Sequence, residues 1–162
     1  MTAPVIPDGY NTYPSYLYLE SLERCVEKSD GSVPLGDDDL FKIAGGPIVV
    51  TSFIGVVATA IGADATTCTL QEAVAAPAGD VALSTAVAIT SDAVGTTYHV
   101  TAATPGVFTP VTAGAFDQLP ENRWVCPIGT VQATFSAATT GVIKWYMTYK
   151  PLSPDCVVTA AV

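Results

Sequence analysis

The sequence predicts an all-β protein, an antiparallel two-sheet sandwich of jelly-roll type with an extended N-terminal arm. Three observations carry this. Short runs rich in Val, Ile and Thr recur along the chain between Gly/Pro turns, about eight in all. Residues 141–151 alternate: Ile143, Trp145, Met147 and Tyr149 fall on one side, and Lys144, Tyr146, Thr148 and Lys150 on the other. Long connections at 75–79 and 103–122 suit Greek-key crossings better than a meander.

The 162 residues suffice for one domain, and a chain of this size buries roughly 70% of its unfolded surface. Hydrophobic residues make up 49% and charged residues 13%, against a usual charged share of about 25%. Either the skin is neutral and polar, or much of the surface faces other subunits. The net charge of −9 and pI near 4.1 argue against nucleic acid, which needs a basic stripe. They argue equally against an anionic membrane surface. The N-terminus, MTAPVIPDGYNTYP, lacks the basic and apolar regions of a signal peptide. The four cysteines, Cys25, Cys68, Cys126 and Cys156, form no CxxC pair, so a tetrahedral zinc site is not expected. Free, mostly buried thiols are expected; if disulfides form, three connectivities stay open.

Residues 1–16 carry Pro4, Pro7 and Pro14 with Tyr10, Tyr13 and Tyr16 between them. Proline at that density resists regular structure, and the tyrosines imply docking, hence an arm. A frayed terminus is the competing reading. In residues 17–28, Leu19, Leu22 and Val26 recur at helical spacing, so a short helix is expected, with a strand as the alternative. The domain division is thus 1–36 for the arm and short element, and 37–162 for the sandwich. Asp37, Asp38 and Asp39 lack the spacing of a calcium loop and read as a solvated turn.

Residues 40–44 read as a strand, and Gly45-Gly46-Pro47 as a tight turn or bulge. No charge falls between Lys42 and Asp64, a run long enough to span a bilayer as a helix. The glycines, the proline and the β-branched residues reject a helix. A long strand over 48–61, apolar on both faces, is expected instead, in the core or against another subunit. Strands follow at 66–74, 81–90 and 96–102. The last puts Tyr98 and Val100 on one face, and Thr97, His99 and Thr101 on a polar one. His99 is the one histidine, and no GxSxG accompanies it. No catalytic, cofactor-binding or metal residue is therefore assigned, and an enzyme is not expected. The long connection 103–122 holds Phe108 and Phe116, which need something to pack on. Strands at 123–126, 129–136, 141–151 and 156–162 complete the chain, the last tucked into a sheet.

The segment DDDLFKIAGGPIVVTSFIGVVATAI, followed later by TGVIKWYMTYKPLSPDCVVTAAV, resembles small structural proteins of tailed bacteriophages. The likeness covers most of residues 37–162, with 105–121 the least familiar part. It is a pattern of apolar residues and turns and transfers no catalytic residue. It implies a virion protein made in the host cytoplasm. In that group some members are capsid decoration (cement) proteins, jelly-roll homotrimers that bind the major capsid protein on the outer head surface. Tyr10, Tyr13, Tyr16, Phe108 and Phe116 are then the expected interface residues, with no cofactor, nucleic acid or membrane. The alternative is a tail, neck or head-fibre component, or a glycan-binding adhesion module using Trp124 and the polar face of 96–102.

Overall fold

The computed structural model describes residues 23–29, 31–76, 78–100, 108–111 and 123–162. Among them are twelve strands and no helix. In order they are β1 (Arg24–Ser29), β2 (Gly36–Ala44), β3 (Ile48–Thr59), β4 (Thr67–Ala75), β5 (Ala78–Ala82) and β6 (Val87–Ala88). Then come β7 (Thr97–Val100), β8 (Phe108–Val111), β9 (Trp124–Cys126), β10 (Gly129–Phe135), β11 (Val142–Pro151) and β12 (Val157–Ala160).

Two six-stranded antiparallel sheets pack face to face. The first runs β1-β11-β3-β7-β8, with β9 also on β3; the second runs β12-β2-β10-β4-β5, with β6 also on β4. The chain passes from one sheet to the other at β1–β2, β2–β3 and β3–β4, again at β6–β7, and again at β9–β10, β10–β11 and β11–β12. Neighbours in a sheet are therefore mostly distant in sequence. The sandwich is the expected fold class.

Strand β11 is the spine of the first sheet, and its alternation is the predicted one. Ile143, Trp145, Met147 and Tyr149 are buried, while the residues between them are half-exposed. Trp145 lies opposite Gly55 of β3. A Cβ at Gly55 would come within 2.6 Å of the Trp145 ring carbon Cζ3, so the absence of a side chain makes the slot that the indole fills. Phe53 stacks at a tilt on Trp145, with centroids 5.6 Å apart. Phe41 of the other sheet meets Phe53 edge-on at 6.0 Å. These rings link the two sheets through favourable edge and offset contacts.

Three register shifts break the ladders, one leaving Ala58 over in β3, and the other two reset the alternation so that the core stays apolar. In β2, Asp39 pairs with Gln132 and Phe41 with Val131, leaving Leu40 as the extra residue. Consecutive Leu40 and Phe41 are consequently both buried. In β3, Ser52 pairs with Thr148 and Val50 with Tyr149, leaving Thr51 over. The Thr51 hydroxyl donates to the Thr148 carbonyl at 3.1 Å. Strand β3 is then buried on one face only, through Ile48, Val50, Phe53 and Val57. Its other face, Val49, Ile54 and Val56, is half-buried, so the run is not sealed on both sides within this chain.

Several local expectations change. Residues 24–29 form an edge strand on β11, not a helix. Val26 and Lys28 face inward with period two, because a short helix is marginal alone while β11 offers a full ladder. The first sheet therefore includes residues from Arg24 on, within the 1–36 span expected for the arm and short element. Asp37, Asp38 and Asp39 lie within β2 rather than in a turn. The strand expected at 81–90 divides into β5 and β6, and β8 interrupts the connection 103–122. The Gly45-Gly46-Pro47 turn is as predicted. Gly45 has φ +76°, and a Cβ there would collide with the Asp155 carbonyl.

Trp145→Ala should lower unfolding free energy by about 3–5 kcal/mol, the usual range for emptying a large aromatic site. Gly55→Ala should cost about 1–3 kcal/mol by overpacking. In the double variant the alanine at 55 should add almost nothing, since its clash is with the missing ring. Urea unfolding of the four proteins measures the cycle, and strict additivity would contradict the slot.

Candidate functional site

Of the expected interface residues, Tyr10, Tyr13, Tyr16 and Phe116 lie outside the described residues. Phe108 begins β8, where its backbone pairs with Val100. Of the polar face expected on 96–102, Thr101 lies outside the described residues. Strand β7 is short and largely buried: Tyr98, His99 and Val100 are all buried, and only Thr97 is half-exposed. Trp124 is also half-buried, and its indole nitrogen is fully enclosed. The Tyr98 hydroxyl donates to Asp92 Oδ2 at 2.5 Å, and burial raises its pKa.

The two outward faces differ in chemistry. On the second sheet, β2, β10 and β4 present a hydrogen-bonded polar ladder. Thr134 donates to Asp37 at 2.7 Å, Gln132 to Asp39 at 2.5 Å, and Gln71 to Gln132 at 3.1 Å. These groups satisfy one another. On the first sheet, the register aligns Tyr146 with Ile54 and Val56 with Lys144, while Val49 pairs with Val125. Apolar Val49, Ile54 and Val56 are interspersed there with Ser52, Thr148, Lys150 and Lys144, and Lys144 pairs with Glu27 at 3.4 Å. Val125 is 60% exposed. At the adjoining end of the sandwich, Ile128, Leu152 and Val157 are exposed as well.

Two buried polar groupings lie between the sheets. Lys28, 6% exposed, faces inward from β1 and pairs with Asp38 of β2 at 3.1 Å. It also donates to the Asp39 carbonyl. A buried ion pair satisfied in this way fixes the relation of the two sheets more than it adds stability. Beside Asp38 a small cavity is lined by Val33, Phe135, Ile143 and Trp145.

The second grouping is Glu72 of β4 with Cys126 and Trp124 of β9. Glu72 is 3% exposed. Its Oε1 and Trp124 Nε1 make no hydrogen bond of full geometry, with the Cys126 thiol as the weak partner beside both residues. Burial lifts the Glu72 carboxyl to about 7, against a smaller opposing pull from the Cys126 thiol. Burial also raises the Cys126 thiol, and the nearby Glu72 carboxylate raises it further. An unreactive thiol follows, since the thiolate is the nucleophile. All four cysteines are free; Cys25 is exposed and the other three are buried. Sequence reasoning did not single out Glu72, although parity with Cys68 and Leu70 on β4 places it on the buried face.

Among the described residues, no group of three or more His, Cys, Asp or Glu could hold a metal ion. No helix among them is long and apolar enough to cross a membrane. Comparison of the chain with protein-family models, with curated proteins and with solved structures gives no match.

Glu72 makes stability depend on pH. Between pH 4.5 and about 7 the folded state keeps a proton that the unfolded chain has released. Stability therefore falls as pH rises through that window. A displacement of this size corresponds to at most about 3 kcal/mol. Glu72→Gln should be more stable than the native chain at pH 8 by up to that amount, with the difference vanishing near pH 4. Denaturant titrations at the two pH values measure it.

Proposed function

We propose that this chain is a structural protein of a tailed-phage virion, a decoration (cement) protein bound to the outer surface of the head. The observation that carries the reading is the set of apolar side chains on the first sheet's outward face, Val49, Ile54, Val56, Tyr146 and Val125, set among Thr148, Lys144 and Lys150. The second sheet's outward face, by contrast, is a self-satisfied polar ladder. Such an asymmetric sandwich suits a protein whose work is contact. The low charged share of the whole chain supports the same reading.

Strand order supports the finer fold. The pairs β1–β11, β2–β10, β3–β7 and β4–β5 are nested one inside the next. A long hairpin wrapped into two sheets has that nesting, so we infer a jelly roll with β12 and β8 added at its edges. In the proposed assembly the chain forms a homotrimer, a closed ring that covers apolar strand faces between protomers. Its acidic surface complements basic patches on the major capsid protein. The arm, residues 1–16, with Tyr10, Tyr13 and Tyr16, reaches a neighbouring subunit.

Light scattering of the purified chain should give three times its 16.7 kDa mass. The trimer should sediment with undecorated shells. Val125→Asp should reduce shell occupancy at least tenfold with circular dichroism unchanged, and deletion of residues 1–16 should also lower it. A monomer that ignores the shells would overturn the proposal and turn attention to a tail, neck, fibre or glycan-binding role.

A further inference from the structure

The meeting of Glu72, Cys126 and Trp124 has a second consequence, independent of what the protein binds. Strand β9 is held by little. Among the described residues it pairs with Ile48–Val50 of β3 alone, while β7 takes a separate stretch of the same edge at Ile54–Val56. Short pairing of this kind marks a segment that opens before the rest of a fold. The inner side of β9 presses Cys126 and the Trp124 indole toward the opposite sheet, where Glu72 waits with an oxygen that makes no hydrogen bond of full geometry.

Among the described residues, no cation lies beside Glu72 in the register of its sheet. Across β4 it is flanked in register by Val131 of β10 and Val81 of β5. Neither neighbouring strand thus sets a cation beside it. The β3 residues that pair with Cys126 and Trp124 are Ile48 and Val50. The titratable group facing it is the Cys126 thiol of β9. A neutral carboxyl tolerates such surroundings; a carboxylate requires water or a donor. The simplest way to admit water is to lift β9, because β4 is pinned on both sides by β10 and β5.

We propose that Glu72 is a proton-operated latch on β9: protonated, it lets the strand close on the core, and ionised, it favours an opened strand with Cys126 accessible. The movement changes no covalent bond; one proton passes from the Glu72 carboxyl to solvent. The raised position of this carboxyl, about 7, places the transition near neutrality.

Thiol labelling tests this, with Cys68 as internal reference. Cys68 and Cys126 are both fully buried, but Cys68 lies in β4, paired on both sides in the second sheet, with Phe135 of β10 and Val87 of β6. Global unfolding exposes both, whereas the latch exposes Cys126 alone. The native chain is treated with N-ethylmaleimide from pH 5.5 to 8.5 and the two sites are quantified by peptide mass spectrometry. The Cys126:Cys68 labelling ratio should rise at least tenfold across neutrality, and in Glu72→Gln it should stay flat. A flat ratio in the native chain, or an equal rise in the variant, would overturn the latch. Amide exchange in the unmutated chain gives a second readout that needs no variant. After correction for intrinsic rates, protection at Val125 and Cys126 should fall above pH 7 while Val57 holds; equal protection at all pH values would overturn it.

Discussion

Everything in this sandwich leans on the seating of Trp145 over Gly55. The indole is the largest fully buried side chain, and it sits where the two longest strands, β3 and β11, cross-pair. A glycine opposite it is a local loss, since glycine weakens a strand interior. The loss is offset because the ring then reaches Phe53 and, through it, Phe41 of the other sheet. One cross-strand pair thus becomes an inter-sheet contact. Lys28 lies opposite the same tryptophan on β1 and bridges to Asp38 on β2, so an ionic tie and an aromatic tie share one place in the fold.

The bulges at Leu40 and Thr51 follow from the same demand. A strand of strict alternation cannot bury two consecutive residues, and an uninterrupted β3 would turn Phe53 away from the core. One inserted residue in each strand restores parity, and the Thr51 hydroxyl keeps the displaced backbone hydrogen-bonded. The result is a core closed around aromatic rings and two outward faces of unlike chemistry.

Polar groups inside the sandwich divide into two kinds. The Lys28–Asp38 pair is matched and fixes geometry. The Glu72 grouping is mismatched, with two enclosed atoms left without hydrogen bonds of full geometry. Buried polar atoms of that kind are rare in folded proteins and mark either strain or a working part. Its position under the most weakly paired strand of the first sheet couples protonation to the attachment of that strand.

What the sequence by itself determined is the all-β class, the parity of β11, the Gly45 turn and the poverty of charge, because each is written in residue type and short-range spacing. The face of β4 that carries Glu72 was also legible from parity. Tertiary structure decided the rest. Residues 24–29 have helical spacing, yet β11 recruits them as a strand, since a ladder partner outweighs weak local preference. His99 alternates as a polar residue should, yet packing buries it. Which strands pair, where bulges fall, and that Cys126 meets Glu72 across the sheets all depend on contacts between residues far apart in the chain. Local pattern does not encode such contacts; they are settled when the two sheets close on one core.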